Sequence, residues 1–268
     1  MTFIGADSGY ADAGVVLFGA PYDSTTSFRP GTRFGPAAIR SENFGIETYS
    51  PLQDRDLEDF PFFDSGDLEL PFGAPDRALE MIEAQAAEIL SKGKIPFLLG
   101  GEHLVTLGAV RAVAKKHPDL REDYLGVRLS HACVMRRCHD LLGDGRIFQF
   151  GIRSGTREEF EFMRAGHVVT EPFSDATLAE VLDSIPPDAP VYLTIDMDVL
   201  DPSAFPGTGT PEAGGFNYRQ LVGDVVRICG QLNVVGLDNV ELAPSLDPTG
   251  RSTALACTFL RECLLALA

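Results

Sequence analysis

The run Val191-Tyr-Leu-Thr-Ile195, followed by Asp196-Met-Asp198-Val-Leu-Asp201-Pro202, constrains this chain more than any other stretch. Val191 to Ile195 reads as a short buried strand, and it ends in two carboxylates spaced i, i+2. On a strand that spacing turns both side chains to one face. A matched acidic pair at the carboxyl end of a strand, facing a crevice, is a good way to hold a divalent cation. The same spacing also suits a solvated strand end with acidic caps. The loop that follows, Pro206-Gly-Thr-Gly-Thr-Pro-Glu-Ala-Gly-Gly215, has too many special residues for plain surface, and it favours the cation.

Strand-like and helix-like segments alternate along the rest of the chain. Residues 15–20 read as a strand, followed by a loop rich in Ser, Thr, Pro and Gly through Arg40. Residues 78–90 have helical spacing, with Gly93 as a stop. The next strand is expected at 95–100 and the next helix at 104–116. Further strands are expected at 146–150, 191–195 and 233–237, with helices at 178–184, 218–229 and 252–268. This alternation argues for an α/β protein whose parallel sheet is covered on both faces. No internal repeat, linker-like tract or low-complexity block interrupts residues 1–268, which read as a single domain.

With 44% hydrophobic residues the chain can bury a large core, yet it holds no apolar run long enough to span a bilayer. Its start lacks the basic and apolar stretches of a signal peptide. The five cysteines (Cys133, Cys138, Cys229, Cys257 and Cys263) form no CxxC pair and are odd in number. They read as reduced core thiols of a cytoplasmic protein. A formal net charge of −17 argues against nucleic acid as a partner and is compatible with a small cationic substrate.

Gly100-Gly-Glu-His103 follows one of the strands and opens a helix, so His103 lies over the strand ends. A histidine at a helix start is common and means little alone. With Asp196 and Asp198 it makes a mixed nitrogen and oxygen set suited to manganese or a similar cation.

From here the sequence resembles the ureohydrolases (arginase and agmatinase), and the agmatinase branch most. Gly19-Ala-Pro-Tyr-Asp23, Arg29-Pro-Gly-Thr-Arg33-Phe-Gly-Pro-Ala-Ala-Ile-Arg40 and Asp64-Ser-Gly-Asp67 look like the family's N-terminal half. Gly100-Gly-Glu-His103, Ser130-His131-Ala-Cys-Val-Met-Arg-Arg137 and Asp196-Met-Asp198-Val-Leu-Asp201-Pro202 look like its active-site segments. Pro206-Gly-Thr-Gly-Thr-Pro-Glu212 and Val240-Glu241-Leu-Ala-Pro244 extend the match nearly end to end. The resemblance implies a three-layer αβα fold, two manganese ions, a small cationic guanidino substrate such as agmatine, and a homo-oligomer, trimer or hexamer. It assigns His103, Asp196 and Asp198 to metal. It assigns His131 to proton transfer to the departing amine, and Glu241 to a bidentate contact with the guanidinium. His139 and His167 fall outside any motif and read as structural or exposed. Arg136 and Arg137 read as packing or subunit contacts, and Asp201-Pro202 as turn chemistry.

One departure stands against the match. The family carries a further strand ending in Asp-Ala-His-x-Asp, which supplies half of its metal ligands. Here the helix running to Lys116 meets His117-Pro-Asp-Leu120 and passes straight into Arg121-Glu-Asp-Tyr-Leu-Gly126. About ten residues, an average strand plus a short motif, have no counterpart between Leu120 and Arg121, whether lost from the protein or unrecorded in the sequence. His117 and Asp119 reproduce the His-x-Asp spacing and are candidate replacement ligands, although Pro118 more simply marks a helix end. Two functions are therefore expected. One is an agmatinase-like amidinohydrolase that makes putrescine and urea from agmatine. The other is a metal-deficient, catalytically silent family member serving as a binding or regulatory subunit. With three ligands left, the expectation for the chain as written is little or no ureohydrolase activity.

Overall fold

The computed structural model describes residues 1–114, 129–171 and 178–268. In chain order the elements begin with β1 (Val15–Ala20), α1 (Gly35–Glu42), the two-residue strands β2 (Tyr49–Ser50) and β3 (Arg55–Asp56), and β4 (Phe62–Asp67). Next come α2 (Pro75–Ser91), β5 (Ile95–Gly100), α3 (Thr106–Ala114), α4 (Val134–Leu142), β6 (Phe148–Phe150) and α5 (Arg157–Arg164). The chain continues through β7 (Val169–Glu171), α6 (Leu178–Ser184), β8 (Pro190–Asp196), α7 (Tyr218–Gln231), β9 (Asn233–Val240) and α8 (Arg251–Ala266).

Five strands form one parallel sheet in the order β4-β1-β5-β9-β8. Side chains alternate between its faces, as strand geometry requires. Val15, Leu17, Phe97, Leu99, Ile195 and Leu237 pack with α1, α7 and α8 in one core. Val16, Phe18, Leu98 and Val240 pack with α2, α3 and α4 in the other. This is the expected parallel sheet covered by helices on both faces. A separate two-stranded parallel sheet holds β6 and β7.

Several expectations need correction. Residues 35–42 are helical (α1) rather than part of a loop through Arg40, because Pro36 suits a helix start and Ile39 and Arg40 are buried against the fold. Arg40 packs inward by giving Asp64 of β4 a two-pronged contact, 2.8 Å on each prong, and by pairing with Asp67. Strand β4, helices α4 and α5, and strand β7 were not anticipated. Val191 to Thr194 are only half-buried. Among the described residues β8 pairs with β9 alone, and an outer strand is covered less than an inner one. His117 and Asp119, the last two residues of the expected 104–116 helix, and the junction between Leu120 and Arg121 lie outside the described residues.

All five cysteines are free, and four of them are buried, as expected of core thiols. Asp201 makes turn contacts, accepting the Ser203 and Gly214 N–H groups at 2.9 Å each. Arg136 and Arg137 both pair with Asp140, at 3.3 and 3.0 Å. No helix among the described residues is long and apolar enough to cross a membrane.

Candidate active site

His103, Asp196 and Glu241 stand at the carboxyl ends of β5, β8 and β9, the face where parallel sheets collect ligands. The turn after β5 is tight. A Cβ on Gly101 would lie 2.0 Å from the Tyr22 carbonyl oxygen, so only glycine lets the two backbones approach. Glu102 beside it is fully buried and accepts from Thr25 Oγ1 at 2.6 Å, Thr25 N at 3.0 Å and Thr26 Oγ1 at 3.1 Å. It thereby anchors the loop after β1 against the site. Burial raises the Glu102 carboxyl above its ordinary pKa, opposed by the Thr25 hydrogen bonds.

His103 Nδ1 meets Asp196 Oδ2 at 3.1 Å, and its Nε2 meets Thr194 Oγ1 at 3.0 Å. Thr194 in turn donates to Asp238 Oδ1 at 2.7 Å, and Tyr192 OH donates to Asp238 Oδ2 at 2.9 Å. Burial opposes charge on His103, but Asp196, with Asp238 and Glu241 behind it, pushes the imidazole up to about 9.

The acidic pair converges differently from the expectation. Asp196 ends β8, but Asp198 belongs to a 3-10 turn, Met197–Val199. The turn brings Asp198 N to Asp196 Oδ1 at 3.0 Å, so a capped turn rather than the pleat of a strand aligns the two carboxylates. Burial, then Asp196 and Glu241, hold the Asp198 carboxyl well above the usual range. Burial would raise Asp196 as well, but the His103 contact holds it low.

Glu241 is buried and has a left-handed backbone, φ 67°. A non-glycine residue seldom takes that conformation, and such strain concentrates at functional positions. Its N–H donates to Gly101 O at 2.9 Å, and its Oε1 accepts the His103 N–H at 2.7 Å. The same oxygen lies 3.7 Å from His131 Nδ1. Ser27 donates its N–H to His131 Nε2 at 3.0 Å, and the Ser27 hydroxyl lies 2.8 Å from that nitrogen. The imidazole is thus fixed with Nε2 as acceptor and Nδ1–H toward Glu241. Burial works against a charged His131, but Glu241 raises it above its ordinary value.

All five residues read from the sequence as site residues therefore cluster. His103, His131, Asp196 and Asp198 line a cavity of about 1560 Å³. It extends between β8 on one side and β6 on the other, reaching Tyr192 and Phe150. The proposed replacement ligands, His117 and Asp119, lie outside the described residues. Sequence reasoning missed Asp238, whose signal was a single acid inside the apolar run of β9. It also missed Ser27, Thr194 and Arg153. Arg153 donates to the carbonyls of Asp198 (2.7 Å), Glu212 (3.0 Å) and Val199 (3.1 Å), tying the acidic turn to the loop beyond it.

The arginase family model matches residues 13–266. An agmatinase of Bacillus anthracis is 45% identical over 281 aligned positions, covering 98% of this chain and 95% of the relative. That alignment is longer than the 268 residues of the chain, so at least 13 positions (281 minus 268) have no counterpart here. A guanidinobutyrase of Pseudomonas aeruginosa is 34% identical, covering 93% of this chain and 85% of that protein. The crystal structure of agmatine ureohydrolase from Thermoplasma volcanium superposes with a TM-score of 0.87 at 33% identity, covering 99% of this chain and 94% of that one. The chain belongs to the arginase family of ureohydrolases, where its similarity over nearly full length is to agmatinases.

Proposed function

We propose that the chain binds agmatine and hydrolyses it slowly to putrescine and urea, at a metal centre reduced to one divalent cation. The supporting observation is Glu241. A buried carboxylate in a strained backbone faces both His103 N and His131 Nδ1, so the guanidinium-side and metal-side residues share one wall. Family membership implies a pair of manganese ions. The residues present fit a cation, because burial beside Asp196 and Glu241 raises the Asp198 carboxyl well above its usual range, a crowding of carboxylates that a positive ion would relieve. Among the described residues they do not fit a pair. Among the described residues His103, Asp196 and Asp198 are the donors in question, and two divalent ions need more anionic oxygen than that.

In this reading His103, Asp196 and Asp198 would hold the ion, which supplies Lewis acidity and activates water. Glu241 pairs with the substrate guanidinium and orients its carbon toward the acidic turn. His131, with its Nδ1–H directed by the Ser27 contact at Nε2, delivers a proton to the departing amine. The net charge of −17 suits a dicationic substrate. Family resemblance adds a homo-oligomer, trimer or hexamer, to the proposal.

A second reading rests on the donor shortfall: a silent family member that binds a guanidino compound without turning it over. Urea release from agmatine, 4-guanidinobutyrate and arginine, measured with added manganese, separates the two. Agmatine should be the best substrate. Arginine as the best substrate would overturn the assignment, and no urea from any of them would leave the binding role.

A further inference from the structure

We propose that His139, Asp144 and His167 form a second metal site, independent of the candidate active site, that takes zinc or a similar late first-row divalent cation. His139 lies on α4, Asp144 in the turn between α4 and β6, and His167 just before β7. His139 Nε2 and His167 Nδ1 each lie 2.8 Å from the same carboxylate oxygen, Oδ1 of Asp144. One ligand atom from each residue lies within 4.8 Å of the other two. Tetrahedral zinc with bonds near 2.0–2.1 Å requires ligand atoms about 3.4 Å apart. The two nitrogen-to-oxygen spacings of 2.8 Å would open by about half an ångström to reach that value, and the two nitrogens, within 4.8 Å of each other, would settle to it around the ion. Asp144 can supply the movement because its side chain is 66% exposed.

The two imidazoles are held before any ion arrives. Phe162 of α5 stacks on His167, with centroids 4.3 Å apart and an interplanar angle of 18°. The same ring meets His139 edge-on at 4.8 Å, and the Arg136 guanidinium lies 4.5 Å from its centroid on a face. Gly145 N donates to His167 O at 3.1 Å, stitching the turn that carries Asp144 to the segment that carries His167. Two nitrogens and one carboxylate, with a position left for water, make an open zinc-type ligand set rather than a manganese one. Such an ion would fasten α4 to β7 in a part of the fold with little core of its own. There the β6–β7 sheet stands apart from the main sheet, and α5 has no buried residue.

The test is zinc retention. The full-length chain carrying Asp196→Asn and Asp198→Asn, which weakens the other ligand set, is loaded with zinc and passed through gel filtration. About one zinc per chain should remain, and the melting temperature should rise with zinc. Adding His139→Gln and His167→Gln should abolish both effects. As a second variant, Asp144→Asn at an exposed position of the otherwise native chain should lower retained zinc by about one ion per chain. No retained zinc in the parent, or unchanged retention in either histidine- or Asp144-substituted protein, would overturn the site.

Discussion

His103 Nδ1 lies 3.1 Å from Asp196 Oδ2, although β5 and β8 are not neighbours in the sheet: β9 runs between them. Two strand spacings amount to about 9.5 Å, so the contact exists only because both side chains lean over the end of β9. The turn after β5 and the 3-10 turn after β8 set that lean. Glu241, at the end of the intervening strand, closes the group from below by accepting the His103 N–H.

The proposed assignment gives metal binding and proton transfer to different residues. Asp196→Ala and Asp198→Ala should each remove bound metal and turnover together, because each deletes an anionic donor from a shared set. His131→Ala should keep the metal and lower kcat by roughly 10²–10⁴. Metal analysis beside urea assays reads both, and equal metal loss in the His131 variant would contradict the division of roles.

The buried Arg40–Asp64 pair should matter for stability. Removing one member strands a buried charge, which typically costs about 3–5 kcal/mol. Arg40→Ala should therefore shift the urea-unfolding midpoint by that equivalent, whereas a cost under about 1 kcal/mol would place the pair among weak surface bridges.

Asp201 gives a pH dependence. Hydrogen bonds from Ser203, then from Gly214 and Gly215, lower its pKa to about 2. A depressed folded-state pKa contributes stability above the unfolded value near 3.9, lost as pH falls through about 2. Asp201→Asn should flatten the acid limb of the stability curve between about pH 4 and pH 2. An unchanged limb would show that the loop contacts do not hold in solution.

Much of the fold was legible because periodicity is a local signal. The strands at 15–20 and 95–100 and the helix at 178–184 coincide with β1, β5 and α6, and the longer elements differ only at their ends. Helix α1 was hidden by Pro36 and by glycines that read as loop. Helix α4 overlaps the Ser130–Arg137 segment, which was read for its family match rather than for an apolar pattern, and α5 falls in a stretch that carried no reading. The five candidate site residues were read as motifs, but the means of their convergence was not legible. The left-handed backbone of Glu241 and the 3-10 turn under Asp198 are set by tertiary contacts that no residue spacing encodes. His139 and His167 were read as structural or exposed because they lie 28 residues apart, and only the packing of α4 against the β7 segment joins them.

Reduction of the proposed ureohydrolase site to one metal ion can be read by electron paramagnetic resonance of the manganese-loaded chain. An uncoupled manganese spectrum that disappears in Asp196→Ala is the expected result. Inserting a strand ending in Asp-Ala-His-Thr-Asp between Leu120 and Arg121 should convert it to an exchange-coupled pair. An exchange-coupled spectrum from the unaltered chain would rule out a one-metal site, as would a bound signal indifferent to Asp196.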